Sequence, residues 1–298
     1  MEFTEALSGS QLLVWRNQAR EAAIANQISL YEVDWLLIAL TSLNSLQLKL
    51  GQMPLTVQSA CSWTELSELW TLRVKTRCPV QYLAGYCDWR DLQLSVSDRV
   101  LIPRPETEIL VDLAQAAITK SSHLRRGIWV DLGTGSGAIA IALAIANPQL
   151  HIVGIDTSPD ALTIAAKNGQ ALNVSPPQLQ WRQGNWWEPL SAERGQIVGM
   201  ISNPPYIPAA ELAQLQPEVI RHEPLSALDG GLDGLDAVRV LVVQAPEFLI
   251  SGGFWGVELM QGQARTVQEM LINTGQYREV EVVSDLAGIE RFVQAYVV

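Results

Sequence analysis

Ile128-Trp129-Val130-Asp131-Leu132-Gly133-Thr134-Gly135-Ser136-Gly137, followed by the small-residue run Ala138 to Ala146, reads as a strand, a glycine turn and a helix. Glycines at alternate positions allow a tight turn and let the backbone come close to a ligand. His151 to Ile155 forms the next strand, with Asp156 at its end, where a carboxylate accepts hydrogen bonds from ribose hydroxyls. Pro159 to Leu172 reads as a second helix, Leu179-Gln180-Trp181 as a third strand and Ile197 to Ser202 as a fourth. Gly253 to Leu259, Glu279 to Val283 and Arg291 to Val297 are later strands. Strands that alternate with helices make a parallel, doubly wound sheet, and ligands of such sheets sit beyond the carboxyl ends of the strands. The fold class is α/β and Rossmann-like.

The glycine loop alone leaves two ligands open. Gly133, Gly135 and Ala138 also satisfy the dinucleotide pattern. Asp131, two positions before the first glycine, tilts the choice. It would repel a pyrophosphate and can face an ammonium group, and it resembles the first motif of S-adenosylmethionine methyltransferases.

Asn203-Pro204-Pro205-Tyr206 closes the fourth strand, at the same sheet edge as the glycine loop. A planar amide-type nitrogen is a weak nucleophile because its lone pair is delocalised. Acceptors for both of its N–H groups hold it in line for transfer, and the Asn203 side-chain oxygen and the Pro204 carbonyl are two such acceptors. The two prolines restrict the backbone there, and the Tyr206 ring offers a flat surface. No general base is needed, since the methylated nitrogen sheds its proton to water.

The rest of the chain supplies context. Residues 1–76 read as a helical domain, with Leu36, Leu40, Leu43, Leu46 and Leu50 at helical spacing as the core of a small bundle. Residues 77–104 read as a β-hairpin linker built from Val80 to Gly85 and Leu92 to Val96, and residues 105–298 as the catalytic domain. Pro105 suits the first turn of a helix running to Lys120, with Glu106 and Glu108 at its positive end. Cys61, Cys78 and Cys87 lack metal-binding spacing and read as reduced thiols. His123, His151 and His222 are scattered and read as surface or loop residues, so no metal is expected. Twenty basic against 31 acidic residues, a net charge of −11, argue against direct nucleic-acid binding. With no apolar run of spanning length and no basic leader, a cytoplasmic protein is expected.

With these segments quoted, the chain from about residue 77 onward resembles the HemK-type peptide chain release factor N5-glutamine methyltransferases. The resemblance rests on Pro79 to Gly85, Leu101 to Glu108, Asp131 to Gly137, Asn203 to Tyr206, Glu223-Pro224, Ala227 to Leu235, and Asp285 to Gly288 with Arg291. It implies methyl transfer from S-adenosyl-L-methionine to the glutamine of a Gly-Gly-Gln loop in class 1 release factors. It also implies cofactor contacts from Gly133, Thr134, Gly135, Ser136, Gly137, Asp156, Trp186 and Asn203. Asn203, Pro204, Pro205 and Tyr206 would hold the glutamine, with Asn203 and Pro204 catalytic, and the helical domain would dock the factor. Glu258 and Gln263 would support the site floor, while Arg104, Glu106 and Glu223 read as a salt-bridge and helix-start arrangement that shapes the pocket. Two departures stand out: Asn185 where the family often has Asp beside the adenine, and Met260 where a glycine is usual. A ribosomal-protein glutamine is the alternative substrate. A nucleic-acid N6-adenine methyltransferase and a non-catalytic cofactor-binding module are further readings.

Overall fold

The structure, a computed structural model, describes residues 3–298. The chain divides into two compact units. The first runs to Gly85 and also takes in Gln216–His222; the second comprises Tyr86–Leu215 and Glu223–Val298.

In the first unit, β1 (Glu5–Ser8) pairs antiparallel with β2 (Thr56–Ser59) beside α1 (Gly9–Ala25), α2 (Leu30–Leu40), α3 (Ser45–Leu50), α4 (Trp63–Thr76) and α5 (Val80–Ala84). The expected leucine stripe holds only in part. Leu36, Leu40 and Leu43 are buried, but Leu46 and Leu50 are 63% and 58% exposed. The helix stops at Thr41, which is extended and bridges Ser59, and Asn44 starts a new helix with a capping box. The helical phase is thereby reset, and Leu48 points inward instead. A second correction concerns Val80 to Gly85: it is a short helix closed by left-handed Gly85, not a strand, and belongs to this unit. The unit also captures a distant helix, numbered α9 in chain order (Pro217–His222). Arg73, with a side chain only 2% exposed, donates to Glu32 at 2.5 and 2.9 Å and to Glu218 at 2.8 Å, and His222 Nε2 meets Thr76 O at 2.8 Å.

The second unit opens with a hairpin of β3 (Tyr86–Trp89) and β4 (Leu92–Ser95). It is not a free linker. Buried Asn168 accepts from Ser95 N at 2.7 Å and donates to Ser95 O at 3.1 Å and Ser136 O at 2.9 Å, which ties the hairpin to the glycine loop. Then follow α6 (Glu108–Lys120), entered through a 3-10 turn at Pro105–Thr107, β5 (Ile128–Leu132), α7 (Ala138–Ala146), β6 (His151–Asp156), α8 (Pro159–Ala171), β7 (Leu179–Gln183) and β8 (Ile197–Ser202). After α9 come α10 (Asp236–Phe248), β9 (Leu249–Glu258), α11 (Ala264–Thr274), β10 (Tyr277–Ser284) and β11 (Glu290–Val297). The seven-stranded sheet has the order β10-β11-β9-β8-β5-β6-β7, in which β11 alone runs opposite to the other six strands.

Tryptophans and glycines are paired across this sheet. Trp129 on β5 stands opposite Gly199 on β8, and Trp181 on β7 opposite Gly154 on β6. A Cβ at Gly199 would lie 2.5 Å from the Trp129 ring, and one at Gly154 would lie 2.4 Å from Trp181. Each indole therefore occupies the space left by the missing side chain, which accounts for two of the ten tryptophans in the chain. The core proper lies between β5, β8 and β9 and the helices α10 and α11, and includes fully buried Trp255, Val257 and Leu241. Among the described residues, no helix is long and apolar enough to cross a membrane.

Candidate active site

The strand order reverses at β5, which lies between β6 and β8, and a crevice opens there beyond the strand ends. Ser202 Oγ donates to Leu132 O and so locks the end of β8 to the end of β5. That bond sets Asn203 beside the glycine loop: a Cβ on Gly133 would meet Asn203 O at 4.0 Å and the Trp186 ring at 3.6 Å. The backbone is left-handed at Gly133 (φ 80°) and Gly135 (φ 54°), and the Gly133 and Thr134 N–H groups both donate to Ile155 O at 2.9 Å. A side chain at Gly135 would project into open space.

A cleft of about 150 Å³, partly open to solvent, runs along this loop. Gly133, Thr134, Gly135, Ser136, Asp156 and Trp186 line it together with Asn203 and Pro205. Val100, Leu101, Thr107, Ser158 and Ala227 are also part of the wall. Gly137 is not part of that wall, because a Cβ there would strike the Trp181 ring at 2.8 Å. Its role is packing. Pro204 and Tyr206 also sit off the wall, Pro204 being buried.

Asp131 differs from expectation. It is wholly buried and does not reach the cleft wall. Its Oδ2 accepts from Thr134 Oγ1 at 2.6 Å and from Ala140 N at 3.2 Å, pinning both ends of the loop from behind. Its Oδ1 is buried without a partner, and burial pushes the carboxyl up to about 7. Asp156 is fixed by Gly135 N and Ser158 N, each at 2.9 Å, and burial raises it despite those donors. Asn185 is exposed and absent from the wall, and its backbone N–H donates to the Glu188 carboxylate at 3.2 Å. Trp186 follows with a left-handed backbone (φ 50°) that turns its ring toward Gly133.

On the other side of Asn203 lies a polar cluster. Asn203 Nδ2 donates to Thr107 Oγ1 at 3.1 Å, and Tyr206 Oη donates to Glu258 Oε1 at 3.3 Å. Glu258, 2% exposed, is pushed up to about 7 by burial. The Thr107 hydroxyl faces this carboxyl and opposes that push, and Glu258 Oε2 is buried with no hydrogen bond made to it. The Tyr206 phenol is raised by burial and by Glu258. Gln263 Nε2 donates to Tyr206 O at 2.9 Å and Asp233 O at 3.3 Å. The glycine-rich block is explained at Gly234, where a Cβ would fall 2.3 Å from Tyr206 O. Met260 keeps an ordinary backbone, so nothing there requires a glycine. Arg104 Nη2 donates to both oxygens of Glu223 at 2.7 Å; burial raises the Glu223 carboxyl and the arginine opposes the rise. Glu106 is exposed. Sequence reasoning missed Thr107 as a contact of Asn203, since the two lie 96 positions apart.

The residues fit a nucleoside-bearing methyl donor: an open glycine turn, an oriented carboxylate at the next strand end, and an indole against the loop. A parallel sheet with one reversed strand, and this cleft at its switch point, defines a class I methyltransferase. The Methyltransferase small domain family matches residues 107–226. The crystal structure of the hMettl16 catalytic domain in complex with MAT2A 3'UTR hairpin 6 superposes with a TM-score of 0.55 over 86% of this chain and 87% of that chain. At 12% identity this likeness shows the fold alone. The release factor glutamine methyltransferase of Synechocystis sp. is 48% identical over 97% of both chains. Those of Gloeobacter violaceus and Thermosynechococcus vestitus are 45% and 43% identical, over 95% and 97% of this chain and 96% and 99% of their own. The chain belongs to the release factor glutamine methyltransferase family.

Proposed function

We propose that Asn203-Pro204-Pro205-Tyr206 holds the side-chain amide of the glutamine in the Gly-Gly-Gln loop of a class 1 peptide chain release factor, and that this nitrogen, N5, is methylated. S-Adenosyl-L-methionine, bound in the cleft, supplies an electrophilic methyl group. Gly133, Thr134, Gly135 and Ser136 are the backbone that holds it, Asp156 the carboxylate for its ribose and Trp186 the surface for its base. Asn203 Oδ1 and the Pro204 carbonyl accept the two amide N–H groups and hold the nitrogen in line. The nitrogen becomes strongly acidic on methylation and releases its proton to water, so the buried carboxyl of Glu258 serves as structure.

One observation carries this reading: the Asn203 amide is already oriented. Its Nδ2 is taken up by Thr107, which leaves Oδ1 as the free acceptor beside the cleft. A release factor as substrate supports a cytoplasmic location. The acidic balance of the chain favours a protein over a phosphate-rich partner.

The test is incubation with purified release factor and S-adenosylmethionine, followed by peptide mass spectrometry. One added methyl on the Gly-Gly-Gln peptide is expected. An unmodified peptide, with cofactor binding confirmed, refutes the proposal. Methylation of a ribosomal-protein fraction instead moves the activity to the alternative glutamine.

A further inference from the structure

We infer that Thr107 is the positioning residue that makes the site select an amide over a carboxylate, by fixing which face of the Asn203 side chain the substrate meets. The inference rests on the reading that Asn203 receives the glutamine.

Thr107 is 4% exposed, in the 3-10 turn before α6, and its Oγ1 lies 3.1 Å from Asn203 Nδ2. A threonine hydroxyl has one hydrogen to give and lone pairs to receive. Two arrangements of the pair are available. In one, Thr107 donates to Asn203 Oδ1, and the amide turns its N–H groups toward the substrate. In the other, Asn203 donates to Thr107, and the threonine hydrogen turns to Glu258. Glu258 decides between them. It is 2% exposed at the end of β9, its Oε1 is served by Tyr206 Oη, and its Oε2 is buried without a donor. Only the second arrangement turns a hydrogen toward the Glu258 carboxyl, which the Thr107 hydroxyl faces. It offers that buried carboxyl a second donor beside Tyr206, and a buried acceptor without a donor is costly. The chain of bonds therefore runs from Asn203 to Thr107 to Glu258, with Tyr206 donating from the far side.

The consequence is chemical selection. Asn203 Oδ1 and the Pro204 carbonyl are both acceptors. A glutamine amide brings two N–H donors to them, whereas a glutamate carboxylate brings only oxygens. Without the Thr107 hydroxyl the Asn203 amide is free to turn over and offer its own N–H groups, which a carboxylate accepts as well as a glutamine carbonyl does.

The experiment compares Thr107→Val, which keeps the shape, with Thr107→Ser, which keeps the hydroxyl. Competition binding is measured with the release factor and with the same factor carrying Glu in place of the Gly-Gly-Gln glutamine. The parent should prefer glutamine. Thr107→Val should reduce that preference by about tenfold or more and lower kcat by a similar factor. Thr107→Ser should restore both. Thr107→Ala, which removes the hydroxyl without placing a methyl against Asn203, should behave like the valine variant and replaces it if valine disturbs folding. A glutamine preference that survives in the variants lacking the hydroxyl, or one lost equally in the serine variant, overturns the inference. The underlying reading is tested apart by Asn203→Ala. Turnover retained in that variant removes Asn203 from the site, and the role of Thr107 falls with it; turnover lost there with preference intact in the Thr107 variants refutes the inference alone.

Discussion

Asp131→Asn should flatten the pH dependence of the sheet's stability. The carboxyl of Asp131 is wholly buried, faces no cation, and sits near Asp156, so the protonated form is favoured and the group is held up to about 7. An unfolded aspartate titrates near 3.9. Because the native state binds this proton more tightly than the unfolded chain, its contribution is full below about pH 4. It is lost progressively as the pH rises toward 7. At about 1.4 kcal/mol per pH unit the loss amounts to roughly 4 kcal/mol. Asparagine has nearly the same shape and does not titrate. It keeps one oxygen for the Thr134 hydroxyl and the Ala140 N–H, but leaves an N–H group unpaired where Oδ1 now sits. The variant should therefore be less stable than the parent near pH 4.5 and gain on it steadily to about pH 7.5. Native-state hydrogen exchange of the β5 and β8 amides, without cofactor and corrected for intrinsic rates, reads the opening of this sheet apart from the helical unit. Parallel pH profiles for parent and variant would show that Asp131 does not carry the raised titration, and the argument from burial would fail.

Three further outcomes follow from the same geometry. Gly199→Ala places a Cβ 2.5 Å from the Trp129 ring and should destabilise the second unit by about 1–3 kcal/mol; Trp129→Phe in the same chain should recover part of it in thermal unfolding. Gly135→Ala meets no atom within 4 Å but has φ 54°, so it should cost only about 1–2 kcal/mol of stability while weakening S-adenosylmethionine binding by calorimetry, because the methyl enters the cleft. Arg73→Met strips the shared cation from Glu32 and Glu218 and should destabilise the first unit by about 3 kcal/mol, at the low end for a buried pair since both carboxylates keep some solvent. Hydrogen exchange confined to that unit checks it.

Much of the second unit was legible because its elements carry local signals. Gly133, Gly135 and Gly137 announce a turn, Asn147-Pro148 a helix stop, and β8 was read with its observed limits, Ile197–Ser202. Where a local rule met a longer-range one, the local rule lost. Val80 to Ala84 looked like a strand, yet its burial against the helical unit favours one helical turn with Gly85 as its stop. The leucine spacing of residues 36 to 50 ran past a helix end that only Thr41 pairing with Ser59 imposes.

The sequence by itself determined the class of fold, the cofactor loop and the Asn203 tetrapeptide, because strand-helix alternation, glycine turns and proline-fixed backbone act over a few neighbouring residues. Tertiary structure alone decided what each motif residue does. Gly137 proved to be room for Trp181, Asp131 a brace behind the loop, and Gly234 clearance for the Tyr206 carbonyl. Thr107 came to Asn203 across 96 positions, and Glu258 to Tyr206 across 52. Such pairings depend on which buried polar atoms finish the fold without a partner, and that is settled only when distant strands and turns are brought to one edge of the sheet.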